Sequence, residues 1–244
     1  MTKMTKIFTL AVLLVVSAAG AALATPSTQI WIPSTDIQGY KTLHLGLDNY
    51  IRTTSNGGGA NTYDLGLTAG VLPFEKLQME VGVDYMEAGS NSAADKHPLY
   101  FNGKIGTPED SLFKYSPALA VGIYNAGTKA SVTGQNIAYG LAARTLPVVG
   151  RISAGGFHGS ETVLGSGMND GVLLSWDRTM SEISDKLWLA VDYQGGKSFM
   201  GALNFGASWN FSKNVSVIFG YDIYNNTATG GKNTFTTQVD INFP

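Results

Sequence analysis

The chain contains no cysteine. Disulfides, thiolate metal sites and cysteine nucleophiles are therefore excluded. Charge is scarce as well: Asp, Glu, Lys and Arg make up 14 % of the 244 residues, against about 25 % in an ordinary globular chain. Histidine occurs only at His44, His97 and His158, too scattered for a spaced ligand set, so no metal site is expected from them. Calcium on acidic loop groups stays open. No pattern calls for a cofactor. The acidic balance and the lack of a basic cluster argue against nucleic acid as a partner. After residue 24, no apolar run approaches the roughly 18 residues a membrane helix needs.

Residues 1–24 read as a secretory signal peptide. Lys3 and Lys6 open it, Phe8 to Ala19 is its apolar run, and Ala22-Leu23-Ala24 places small residues at the cleavage site. A membrane anchor is the competing reading, but the run is short and Ala-rich and no basic flank follows. Cleavage after Ala24 would export a chain beginning at Thr25, with a net charge of about −4.

Glycine is abundant: 30 residues, about 12 % against a usual share of about 7 %. Gly46, Gly66, Gly82, Gly122, Gly140, Gly206 and Gly220 sit inside strand-like runs, and all seven are read on the polar face. Glycine weakens a strand interior unless space or curvature requires it. The runs themselves alternate with a period of two, the β signature. In 77–85, Leu77, Met79, Val81, Val83 and Tyr85 share one face, and Gln78, Glu80, Gly82 and Asp84 the other. Similar alternation marks 40–52, 62–72, 185–194, 199–211 and 214–225. Weaker runs at about 98–106, 116–125, 135–144, 150–158, 170–178 and 233–243 bring the count to twelve. Gly155-Gly156 and Val172-Leu173-Leu174 blur the seventh and eighth.

Connections after even-numbered runs are mostly compact, as in Pro73-Phe74-Glu75-Lys76. Those after odd-numbered runs, such as TTSNGGGA and GSETVLGSGMN, are usually longer. The expected fold is an all-β transmembrane antiparallel β-barrel of 12 strands, with short periplasmic turns and longer extracellular loops. A soluble sandwich would spread lysines and glutamates over a wetted face. Here the polar face is rich in Gly, Ser, Thr and Asn, so the apolar face is assigned to lipid and the polar face to a lumen. Closure follows, because an open edge in lipid would leave backbone groups unpaired. Tyr85, Tyr193 and Tyr224 near one end of the strands, and Phe74, Phe113, Trp209, Phe211 and Phe243 near the other, suit interfacial girdles.

A signal peptide, twelve alternating segments and the terminal TFTTQVDINFP resemble the porin-like outer-membrane β-barrel proteins of Gram-negative bacteria. Members of that group commonly end on an aromatic residue that the barrel-insertion machinery reads; here Phe243 is penultimate and Pro244 follows. The resemblance is architectural, covers residues 40–243 and names no subfamily. It implies an outer-membrane location, with membrane lipid and lipopolysaccharide, the insertion machinery and small polar solutes as partners. A monomer is expected by analogy of size. Residues 25–39 precede the barrel domain, 40–244, as a periplasmic lead-in. The alternative for 25–38 is a strand-like piece tucked against the lumen, since Ile30-Trp31-Ile32 needs apolar cover.

Placed by height, Asp48, Asp64, Asp84, Asp192 and Asp222 form an acidic group in the outer half of the lumen. Lys104, Arg144, Arg151 and Lys186 form a basic group below, with Glu80 and His44 among them. Tyr50, Tyr124, Trp188 and Tyr224 point inward as a candidate stacking surface for solute. The function expected is a channel for small polar solutes or ions with an acidic outer lumen. Cross-lumen pairing that merely stiffens the wall is the competing account of the charges. Two further alternatives are a non-conducting structural or partner-holding barrel and a rim-located hydrolase. The hydrolase rests on His158-Gly159-Ser160 and Glu161, adjacent in sequence but with no pattern that orients them as base and nucleophile. An enzyme is not expected.

Overall fold

The computed structural model describes residues 27–54, 59–89 and 92–244, so the signal peptide assigned to 1–24 lies outside the described residues. Twelve strands form: β1 (Leu43–Arg52), β2 (Thr62–Gly70), β3 (Gln78–Glu87), β4 (Leu99–Thr107), β5 (Ala118–Gly127), β6 (Gly134–Leu146), β7 (Gly150–His158), β8 (Asp170–Thr179), β9 (Leu187–Gln194), β10 (Ala202–Asn210), β11 (Val215–Tyr224) and β12 (Thr234–Phe243). Each pairs antiparallel with its sequence neighbours, and β12 pairs with β1 from Leu43↔Phe243 to Arg52↔Thr234. The sheet is a closed barrel with no free edge. Register breaks only between Phe101 and Gly103 and between Tyr124 and Ala126, where bulges take up an extra residue. The two runs with blurred alternation, β7 and β8, pair without a break from Arg151↔Asp177 to His158↔Asp170.

Leu65, Leu67, Val81, Phe101, Val121, Ile152, Val172, Leu174, Phe205 and Phe219 project from the outer wall and are exposed. Charged groups on that wall, such as Glu87, Arg144 and Arg178, stand at strand ends. The polar alternates face inward, and many are buried: Ser175, Asp177, Asn204, Ser208, Thr234, Thr236 and Gln238. An ordinary globular fold hides its large apolar residues; this one displays them. The girdle aromatics Tyr85, Phe74, Phe113, Trp209 and Phe211 are exposed, whereas Tyr224 is buried inside the barrel.

The connections after odd strands leave from one end, here the loop end, and include two short helices, α1 (Glu161–Leu164) and α2 (Thr227–Gly230). Those after even strands lie at the turn end. The contrast in length is incomplete, because residues 108–117 between β4 and β5 are as long as most of the loop-end segments. Arg144 clamps this segment, its guanidinium meeting Glu109 (3.2 Å) and Asp110 (2.9 Å).

In one sector the pattern inverts. Ile137, Tyr139 and Leu141 of β6, Phe157 of β7 and Leu173 of β8 all face inward and are buried with Ile32 and Leu164. The outer face of β6 is correspondingly small, and Gly140 stands there, opposite the exposed Val121. The polar-face assignment of Gly140 is therefore corrected. Its cause is the segment 27–38, which lies inside the barrel and brings Ile30 and Ile32 to its wall. Of the two readings of this segment, a periplasmic lead-in and a piece tucked against the lumen, its described part takes the second and forms an internal strap.

Candidate functional site

The strap begins with a tight turn in which Gln29 N–H donates to Ile32 O (2.8 Å) and Thr28 bridges to Pro33. The turn leaves the amides of Ile30 and Trp31 pointing at the wall. The Asp192 carboxylate of β9 accepts both, at 2.8 and 2.9 Å, and its other oxygen accepts Asn204 Nδ2 at 2.6 Å. Ile30 O accepts Gln238 Nε2 of β12 (2.7 Å), and Gln29 Nε2 donates to Asp177 of β8 (3.0 Å). Ile30 seats over Gly206 and Gly220: a Cβ built on them would lie 3.2 and 3.3 Å from its side chain. Two of the inward glycines thus provide space for the strap.

On the facing wall Lys104 of β4 forms an ion pair with Glu80 of β3 (3.2 Å) and donates to the carbonyls of Ser27, Ser34 and Asp36. Glu80 in turn accepts Gln38 N–H at 2.6 Å. Arg151 of β7 joins Asp36 to Asp177. Strands β3 and β9 lie six apart either way round the closed sheet, so the strap crosses the bore. Buried charges held by several hydrogen bonds are costly to uncover, which fixes the strap in place.

A cavity of about 450 Å³ remains between the strap and the wall made mainly by β1 to β6. Asp48, Asp64 and Asp84 line it, with Asp84 accepting Asn102 Nδ2. At its turn end stand Lys104, Glu80 and His44, whose ring bonds Asn242 (3.1 Å) and faces Asp240 (3.6 Å). At its loop end Arg52 reaches the carbonyls of Ala60, Gly230 and Lys232 and lies over the Tyr224 ring (4.9 Å). Trp31 is in edge contact with Tyr50 (5.2 Å) and Tyr224 (5.8 Å), and Tyr124 with Tyr139 (5.7 Å).

All five acidic residues assigned to the lumen face inward in the loop-end half, but in two sets. Asp48, Asp64 and Asp84 border the cavity; Asp192 and Asp222 are buried in the opposite wall, Asp192 beneath the strap and Asp222 bonded to Thr234. The basic group is corrected. Lys104 and Arg151 are internal, whereas Arg144 sits on the outer face at the end of β6, opposite the exposed Ile152, and Lys186 is exposed in the turn before β9. The inversion of β6 moved Arg144, and Lys186 lies one residue short of the wall. Of the aromatic set, Tyr50, Tyr124 and Tyr224 line the cavity; Trp188 packs beside Ile30 and donates to Asp177 (3.2 Å). Trp31 was missing from that set. The signal for it was the need for cover already visible in Ile30-Trp31-Ile32. His158 is exposed on the outer face, pairing with Ala138, and Ser160 precedes α1, its amide donating to Gln135 O. The two do not form a base and nucleophile pair. Among the described residues no helix is long and apolar enough to cross a membrane, a statement that does not bear on strands.

Fold and interior define a closed antiparallel barrel with an apolar exterior, a polar bore and an internal strap. No family model matches the sequence, and no curated protein does. Among solved structures, the chain is similar to an outer membrane channel from Pseudomonas putida F1, at 12 % identity and a TM-score of 0.48, covering 93 % of this chain and 98 % of that one. It is also similar to the KdgM porin, at 8 % and 0.49 over 82 % and 98 % of the two chains. Outer membrane phospholipase A from Escherichia coli follows at 9 % and 0.49, over 85 % and 94 %.

Proposed function

We propose that this protein spans the bacterial outer membrane as a narrow pore for small polar solutes, its bore reduced by its own 27–38 strap. The observation that carries the reading is the reversed distribution of side chains. Exposed Leu, Val, Ile and Phe ring a closed wall whose strand interiors bear no outward charge, while carboxylates, amides and hydroxyls face the bore. Hydrocarbon accepts such a wall and admits a sheet only when it is closed. Membrane lipid and lipopolysaccharide would then bathe the exterior, with export through the 1–24 signal and assembly by the insertion machinery, as a monomer. The loop end would face outward. Solutes would pass along the β1 to β6 wall, past Asp48, Asp64 and Asp84, and the protein would not act as an enzyme.

The strap itself favours a second reading, a non-conducting barrel, because it is tied to six strands. Planar bilayers separate the two. The purified chain should give small, reproducible conductance steps, and a variant lacking residues 27–38 should give larger ones. A protein that shows heat-modifiable migration yet stays silent in both forms is a scaffold rather than a pore.

A further inference from the structure

Asp48, Asp64 and Asp84 stand on adjacent strands and line one cavity. Asp48 and Asp64 are directly opposed in register, and Asp84 opposes Gly66, one same-face step from Asp64. Directly opposed like charges destabilise a sheet, and a bore with low-dielectric walls strengthens the repulsion. Three nearby cations are engaged elsewhere: Lys104 with Glu80 and the strap carbonyls, Arg151 with Asp36 and Asp177, Arg52 with loop carbonyls; His44 also borders the cavity, bonded to Asn242 and facing Asp240. Asp64 Oδ1 is sealed from solvent and accepts no hydrogen bond. Among the described residues, no three His, Asp or Glu side chains are gathered so as to hold one metal ion. The negative charge is thus spread along a wall, which an extended cation matches better than a point ion. Trp31 and Tyr50 add aromatic rings to the same cavity, while the Tyr224 ring is already covered by Arg52, and rings beside carboxylates are the chemistry that receives alkylammonium groups. A neutral polyol would bring no positive charge to the three carboxyl groups.

We propose that the cavity between the strap and β1–β3 binds an organic cation carrying primary ammonium groups, held by Asp48, Asp64 and Asp84 against the rings of Trp31 and Tyr50. The proposal rests on the pore reading for the ligand's route, not for its binding.

Calorimetry on the exported chain refolded in detergent tests it, with 1,4-diaminobutane as probe and butane-1,4-diol as its neutral match. The diamine should bind and the diol should not. Asp64→Asn and Asp48→Asn should each weaken binding about tenfold or more, the loss of one close charge partner, without altering heat-modifiable migration. If Asp64→Asn does not fold, Asp48→Asn and Asp84→Asn carry the same comparison. A folded wild type that does not bind the diamine, or asparagine variants that bind it as well as wild type, overturns the site. Bilayer recordings of the same samples report on the pore separately. Binding without conductance keeps the site and removes the pore; conductance without binding does the reverse.

Discussion

A carboxylate facing water in a pore needs no protein partner, yet Asp192 accepts two strap amides and an asparagine while almost fully buried. Charge-assisted bonds of this kind are the strong ones. Asp192→Asn should cost about 2 kcal/mol, read as a lower urea midpoint, with lost hydrogen-exchange protection at the Ile30 and Trp31 amides. At the turn end, the Arg144 hydrogen bond holds the exposed Asp110 carboxyl below its ordinary 3.8. A depressed folded value means this contact contributes above 3.8 and is lost as pH falls through the lower folded value. Hydrogen-exchange protection at the Tyr115 amide, which donates to Asp110, should therefore fall on acidification below that range. In Arg144→Gln it should start to fall at a higher pH, nearer 3.8. The inward direction of Asp48, Asp84 and Asp192 was legible from alternation alone. That Asp192 is a strap anchor was not, because its strap partners lie more than 150 positions away in the chain.

Strands with clean alternation, such as β1, β3 and β11, formed where the period of two placed them. The sequence blurred at β7 and β8, and ran weaker at β6, for a reason now visible. There the inward face touches Ile32 and Leu164 rather than water, so it is apolar, and the outer face is thinned to Ala138, Gly140 and Ala142. The hydrophobic pattern records what each face touches, and here the inner face touches more protein. Ile30 is the counterpart on the other side, 1 % exposed and packed with Ala190 and Ile218. Ile30→Ala should destabilise the strap by about 2–4 kcal/mol through the cavity it leaves. Noisier or larger conductance, with the barrel's own unfolding little changed, is the expected signature.

For the molecule as a whole, closure and an oily exterior lead to a depth-dependent penalty for charge. Leu67, exposed near the middle of β2, should tolerate Arg poorly, at about 2–4 kcal/mol in folding titrations into bilayers. Arg at Tyr63, close to the loop end of the same strand, should cost no more than about 1 kcal/mol. Equal costs at the two positions would mean that the outer wall does not face hydrocarbon. Composition and period were enough to establish twelve strands, closure and the outward turn of most strand leucines, because each is imposed residue by residue along the chain. The choice between the two readings of residues 27–38, the separation of five aspartates into two sets and the removal of Arg144 and Lys186 from the lumen were decided by the folded barrel alone. Those features depend on which side chains meet across the bore, and contacts between strands six apart leave no local period to read.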